Sequence, residues 1–86
     1  MFSATVTIAN KTGLHARPAS GLVELCKTFE SKITLKHGEM LVDPKSIISI
    51  LAAGIKQGTT IELTAEGPDE EAAGKEVFAF LTALVD

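Results

Sequence analysis

Gly13-Leu14-His15-Ala16-Arg17-Pro18-Ala19 is the stretch at which the apolar residues of this chain change period. Upstream of it, Phe2, Ala4, Val6 and Ile8 alternate with Ser3, Thr5 and Thr7, the period-two pattern of a strand with one buried face. Downstream, Ala19, Leu22, Val23, Cys26 and Phe29 recur at spacings of three and four, which predicts a helix from Ala16 to about Thr28. Asn10 to Gly13 read as a polar loop between the two. Pro18 suits a first helical turn, because the N–H it lacks would have no intrahelical partner there. The residue before a proline is biased away from helical dihedrals, so two starts fit. Either Arg17 is the cap and Pro18 the first helical residue, or His15 caps a helix beginning at Ala16.

Working outward, a second strand is expected from about Lys32 to Lys36, with Ile33 and Leu35 inward. His37-Gly38-Glu39 reads as a tight turn, with His37 at a solvent-exposed strand end, leading into a short strand at Met40–Val42. Asp43-Pro44-Lys45-Ser46 punctuates the chain, and Ser46 is a natural N-cap for a short helix over about Ile47 to Ala53 that Gly54 closes. Gln57-Gly58-Thr59 turns into a fourth strand, with Ile61, Leu63 and Ala65 inward and Glu62 and Thr64 outward. After Gly67-Pro68, the acids Asp69, Glu70 and Glu71 complement the positive end of a last helix whose stripe is Ala73, Val77, Phe80, Leu81 and Leu84. The resulting order, βαββαβα, predicts a single α+β domain over residues 1–86, a two-layer sandwich with three helices on one face of a four-stranded sheet. The pattern leaves the order of the strands open.

Composition narrows the function. With 86 residues, of which 45% are hydrophobic and 22% charged, the chain can build the core of one small domain and is not disordered. A net charge of -3, no Trp or Tyr, and phenylalanines not interleaved with Lys or Arg exclude a nucleic-acid binder. Cys26 is alone, so no internal disulfide forms and a reducing compartment is expected. No apolar run approaches the roughly 20 residues of a membrane span. No basic segment leads into an apolar stretch at the N-terminus, so a cytoplasmic protein with no membrane insertion is expected. His15, His37 and Cys26 do not have the spacing of a metal site, and neither metal nor cofactor is expected. Ser20, Ser46 and Ser49 sit in no Gly-x-Ser-x-Gly elbow, and no Gly-rich nucleotide loop is present.

What remains is the pairing of His15 and Arg17 at a helix start. A neutral imidazole nitrogen can attack a phosphoryl group, the backbone N–H groups of Ala16, Arg17 and Ala19 lie within one turn to hold its oxygens, and a guanidinium can grip two of them. An isolated loop histidine usually has no role, and a lone arginine is usually solvated; their adjacency at a helix terminus is what points to a phosphohistidine. An ordinary imidazole is already mostly neutral at pH 7, so the larger contribution of the helix end is to hold the phosphate's charge. Ser46 as a plain cap is worth about 1 kcal/mol, and a phosphate at that helix start is electrostatically compatible with capping. Ile47, Ile48, Ile50, Leu51 and Ile55 are too many apolar residues for one short helix to bury. Some of Ile47, Ile48 and Leu51 should therefore be exposed as a docking patch.

Gly13-Leu14-His15-Ala16-Arg17-Pro18-Ala19, together with Pro44-Lys45-Ser46-Ile47-Ile48 and Leu51-Ala52-Ala53-Gly54-Ile55, closely resembles the HPr family, the histidine-containing phosphocarriers of the bacterial phosphoenolpyruvate:sugar phosphotransferase system. The likeness runs nearly end to end without a large insertion. It implies an antiparallel open-faced sandwich and a monomeric, stoichiometric phosphocarrier rather than an enzyme. On the resemblance, His15 accepts phosphate at Nδ1 from enzyme I and passes it to a sugar-specific enzyme IIA, with Arg17 and the amides of Ala16 and Arg17 holding the phosphate. It also implies regulatory phosphorylation of Ser46 by an HPr kinase/phosphorylase, docking through Ile47, Ile48 and Leu51, and a catabolite-control transcription factor as a further partner. Two alternatives follow from the same family: a Ser46-phosphorylated co-repressor, and a carrier in a parallel regulatory phosphotransferase chain. Asn10-Lys11 and Gly67-Pro68-Asp69-Glu70-Glu71 have the flavour of the parallel branch, whereas Lys45-Ser46-Ile47 favours the sugar branch. Ser49 and Leu51 depart from the commoner family pattern and bear on partner preference, not on carrier chemistry.

Overall fold

The computed structural model describes residues 1–84, with elements β1 (Phe2–Thr7), α1 (Ala16–Cys26), β2 (Lys32–His37), β3 (Met40–Val42), α2 (Ile47–Ala53), β4 (Thr60–Glu66) and α3 (Glu70–Thr82). This is the βαββαβα order that the sequence predicts. The strands form one antiparallel sheet in the order β1-β4-β2-β3. Register sorts the side chains by face. Ala4, Leu63, Leu35 and Val42 make one row across all four strands and Phe2, Ala65 and Ile33 the next, both turned toward the helices. On the reverse face Thr5, Glu62, Lys36 and Leu41 form a row open to water. A slip of one residue would exchange these rows, so burial of the inner one fixes the pairing.

The helices close that face. Leu22, Ile50, Val77 and Leu81 enter a common core with the inward residues of the strands. Close approach of α3 to β1 depends on Gly74, where a Cβ would fall inside the Phe2 ring. Cys26 lies in this core, where burial pushes its thiol up to about 12 and keeps it protonated.

Two local features differ from the sequence expectation, and a third goes beyond it. α1 ends at Cys26 rather than near Thr28, because the chain tightens there: the N–H groups of Thr28 and Phe29 bond three residues back, to Leu25 O at 3.1 Å and Cys26 O at 3.2 Å. His37 is half-buried as the last residue of β2, opposite Met40, rather than free at an exposed strand end. Asp69 is the N-cap residue of α3, yet its side chain makes no capping bond. Its carboxylate instead accepts the N–H groups of Glu30 and Ser31, both at 2.9 Å, and the hydroxyl of the fully buried Ser31. These bonds, the Ser31 hydroxyl first, hold the Asp69 carboxyl below the usual carboxylate range. Glu70 completes the turn by accepting the Gly67 N–H at 3.2 Å.

Candidate functional site

The loop before α1 is held on its inner side and open on its outer side. Gly13 O accepts the side-chain amide of Asn10 at 3.0 Å, and the Leu14 N–H donates to Ile55 O at 3.0 Å. Asn10 is therefore buried within the polar loop that the sequence predicts. Gly13 takes φ 63°, and a Cβ there would stand 2.5 Å from both Ile55 O and Lys56 Cα, so only glycine lets the two backbones touch. Leu14 plugs into the core and is 3% exposed. The next residue, His15, is thereby left outside.

Of the two helix starts that the sequence allows, the structure adopts the second. His15 is the N-cap, extended at φ -82° and ψ -171°, and its side chain makes no capping bond. Ala16, Arg17 and Pro18 are the first three helical residues, and the first intrahelical bond runs from the Ala19 N–H to His15 O at 2.9 Å. The Ala19 amide is thus occupied, which removes it from the three anion donors expected. Ala16 and Arg17 keep theirs ahead of that bond, and Pro18 has none to offer. The side chains of His15 and Arg17 are both exposed.

A hollow beside His15 is lined by Thr12, Arg17, Pro18, Phe80, Ala83 and Leu84. Arg17 is its cation, and no described carboxylate lines it. In the sequence Phe80 and Leu84 are legible only as members of an amphipathic stripe, and Leu84 lies beyond the end of α3 at Thr82. They reach His15 because Gly21 lets α1 and α3 come close, with the Phe80 ring 3.2 Å from where a Gly21 Cβ would lie. Nothing in the local sequence around Phe80 signals this.

Ser46 stands at the N-cap of α2, where its hydroxyl accepts the Ser49 N–H at 3.3 Å, and the Ser49 hydroxyl in turn accepts the Asp43 N–H at 2.9 Å. Gly54 closes the helix in the left-handed conformation. Ile50 and Ala53 face the core, while Ile47, Ile48 and Leu51 are 38%, 77% and 45% exposed, so all three expected patch residues lie at the surface. α2 links the two motifs. Ser46 heads it, and the backbone just beyond its other end holds Gly13 and Leu14; the seven residues of helix between them are roughly 10 Å long. Among the described residues no group of three metal-ligating side chains occurs, and no helix is long and apolar enough to cross a membrane.

The small open-faced sandwich thus presents an imidazole without a capping bond and a guanidinium, both exposed, at the N-terminus of one helix. Residues 2–83 match the family profile described as the PTS HPr component phosphorylation site. The phosphocarrier protein HPr of Treponema pallidum (strain Nichols) is 44% identical over 69 residues, which cover 80% of this chain and 78% of that protein. The crystal structure of HPr-C-His from Thermoanaerobacter tengcongensis superposes with a TM-score of 0.92 at 41% identity, covering 96% of this chain and 93% of that one. Crh, a catabolite repression protein of Bacillus subtilis, superposes with a TM-score of 0.77 at 33% identity over 95% of this chain and 94% of its own. The chain belongs to the HPr family of phosphocarriers of the phosphotransferase system.

Proposed function

We propose that this protein is a cytoplasmic, monomeric phosphoryl carrier in which His15 takes phosphate from phosphorylated enzyme I and delivers it to a sugar-specific enzyme IIA. The observation that carries the reading is the exposed His15 imidazole at the N-cap of α1, free of any capping bond and next to the unbonded amides of Ala16 and Arg17. In the transfer, the Nδ1 lone pair attacks phosphorus, the new N–P bond forms as the donor's N–P bond breaks, and the donor imidazole leaves. Delivery is the same exchange with the acceptor's histidine attacking. The two amides and Arg17 neutralise the phosphoryl oxygens throughout, and the partners supply in-line alignment. An exposed site suits this task, because a phosphate held too firmly could not be passed on.

The test is incubation with phosphoenolpyruvate and enzyme I followed by mass spectrometry. One added phosphate, lost in acid and stable in alkali, is expected in the wild type and in His37→Ala and is absent from His15→Ala. Undiminished labelling of His15→Ala overturns the assignment.

A second reading draws on the likeness to Crh and on Ser46, whose half-buried hydroxyl caps α2. In it, an HPr kinase/phosphorylase modifies Ser46 and the phosphoserine form docks, through Ile47, Ile48 and Leu51, onto a catabolite-control transcription factor. Labelling by such a kinase with ATP, lost in Ser46→Ala and kept in His15→Ala, separates this role from the first. No labelling at Ser46 leaves the serine as a helix cap.

A further inference from the structure

Lys45 immediately precedes Ser46, but its ammonium serves another part of the fold. The half-buried side chain donates to Phe29 O at 3.0 Å and to Ser31 O at 3.1 Å, in the turn that carries the chain from α1 into β2. That turn gives its N–H groups to the Asp69 carboxylate, through Glu30 and Ser31. A cation from the entry of α2 therefore takes the carbonyls and an anion from the entry of α3 takes the amides of one irregular segment. Ser31 is fully buried, so backbone groups there need such partners. The remaining hydrogen bonds at the start of α2, among Asp43, Lys45, Ser46 and Ser49, join that segment only to itself. Those of the Lys45 ammonium join it to a different element.

We infer that Lys45 is a positioning residue for partner recognition: its ammonium sets α2, with its exposed Ile47, Ile48 and Leu51, against α1, whose other end carries His15 and Arg17. Seven residues of helix are too few to hold their own place, so the orientation of α2 must come from contacts at its two ends and its buried side. Beyond its C-terminal end the fixing contact is Leu14 N–H to Ile55 O; at the N-terminal end it is Lys45. The functional half of this inference rests on the carrier reading, whereas the clamp itself does not.

The test compares Lys45→Met, which keeps the length of the apolar stem without the charge, with Lys45→Arg, which keeps the charge and its donors. Lys45→Gln replaces the methionine variant should that fail to fold. Loss of charge-assisted bonds should speed amide hydrogen exchange at Glu30 and Ser31 by roughly tenfold or more, with the Leu14 amide unchanged. In phosphoryl transfer from phosphorylated enzyme I, KM for Lys45→Met should rise with kcat unaltered, and Lys45→Arg should bring both readouts back toward wild type. Unchanged exchange at Glu30 and Ser31 overturns the clamp. A raised KM without faster exchange makes Lys45 a surface charge that the partner reads directly, and faster exchange without a change in KM leaves it a purely structural bond; either overturns the positioning role. Failure of the carrier reading is seen separately, as a wild-type protein that takes no phosphate on His15, and exchange is measured with no partner present.

Discussion

Arg17 occupies the second helical position of α1, and under the proposed function its backbone amide and its guanidinium both serve one anion at His15. The two contributions separate by substitution. Arg17→Ala keeps the amide and the fold, and should slow phosphoryl transfer in both directions by roughly tenfold or more, the worth of one or two charge-assisted hydrogen bonds. Arg17→Lys should restore only part of the rate, because a point charge does not reproduce the fork. Transfer kinetics of the three proteins decide this, and a lysine variant at full speed removes bidentate contact from the mechanism. Gly13 acts on the same site through geometry alone. Gly13→Ala forces a side chain into the left-handed region and against Ile55 O, a strain of about 1–3 kcal/mol. A thermal melt should show a loss of roughly 4–8 °C per kcal/mol for a domain of this size.

Among the elements, α2 shows most clearly why exposure has to be read from the fold. Its sequence is apolar almost throughout, yet Ile50 is fully buried while Ile48 is 77% exposed. Ile48→Glu or Leu51→Glu should leave the melting temperature nearly unchanged and weaken binding to enzyme I and enzyme IIA by roughly tenfold, the cost of a charge desolvated in an apolar contact. A large drop in melting temperature instead would place these residues in the core. At the entry of α3, the bonds of the Asp69 carboxylate should make stability depend on pH. Asp69 has its carboxyl held below the ordinary range by the Ser31 hydroxyl and the Glu30 and Ser31 amides, so its folded value lies below its unfolded one. The sign follows: its stabilisation is complete above the unfolded value of about 4 and is lost as pH falls through the lower folded value. Melting temperatures of wild type and Asp69→Ala should differ by a constant amount near neutrality and converge in acid. A gap that persists at low pH assigns the effect to packing rather than to the ionised carboxylate.

At the scale of the whole molecule, the two motifs lie at opposite ends of α2. A charge at Ser46 is set off from the loop that holds His15 by α2, whose seven residues are roughly 10 Å long, a length comparable to the Debye length at physiological salt. Ser46→Asp should therefore leave the fold intact, slow phosphorylation of His15 through weaker association with enzyme I, and recover part of the rate as salt is raised. An early melt would mean that the serine is needed as a cap, and a normal rate that its charge is not felt by the partner. The sequence by itself determined the order of the elements, the inward residues of β1, β2 and β4, the cap at Ser46 and the placement of His15 and Arg17 at a helix start. These are short-range matters: apolar period, proline and glycine stereochemistry, and capping chemistry act within a few residues and are written in them. Tertiary structure alone decided the strand order, the choice of His15 as the N-cap, the loss of the Ala19 amide to His15 O, the half-burial of His37 and the arrival of Phe80 and Leu84 beside the imidazole. It also gave Asp69, in its expected place at the N-terminus of α3, the further task of holding Ser31, and sent the Lys45 ammonium to Phe29 and Ser31. Each of these joins residues far apart in the chain, and a side chain's own neighbours in sequence carry no record of which distant backbone group will be left unpaired and waiting for it.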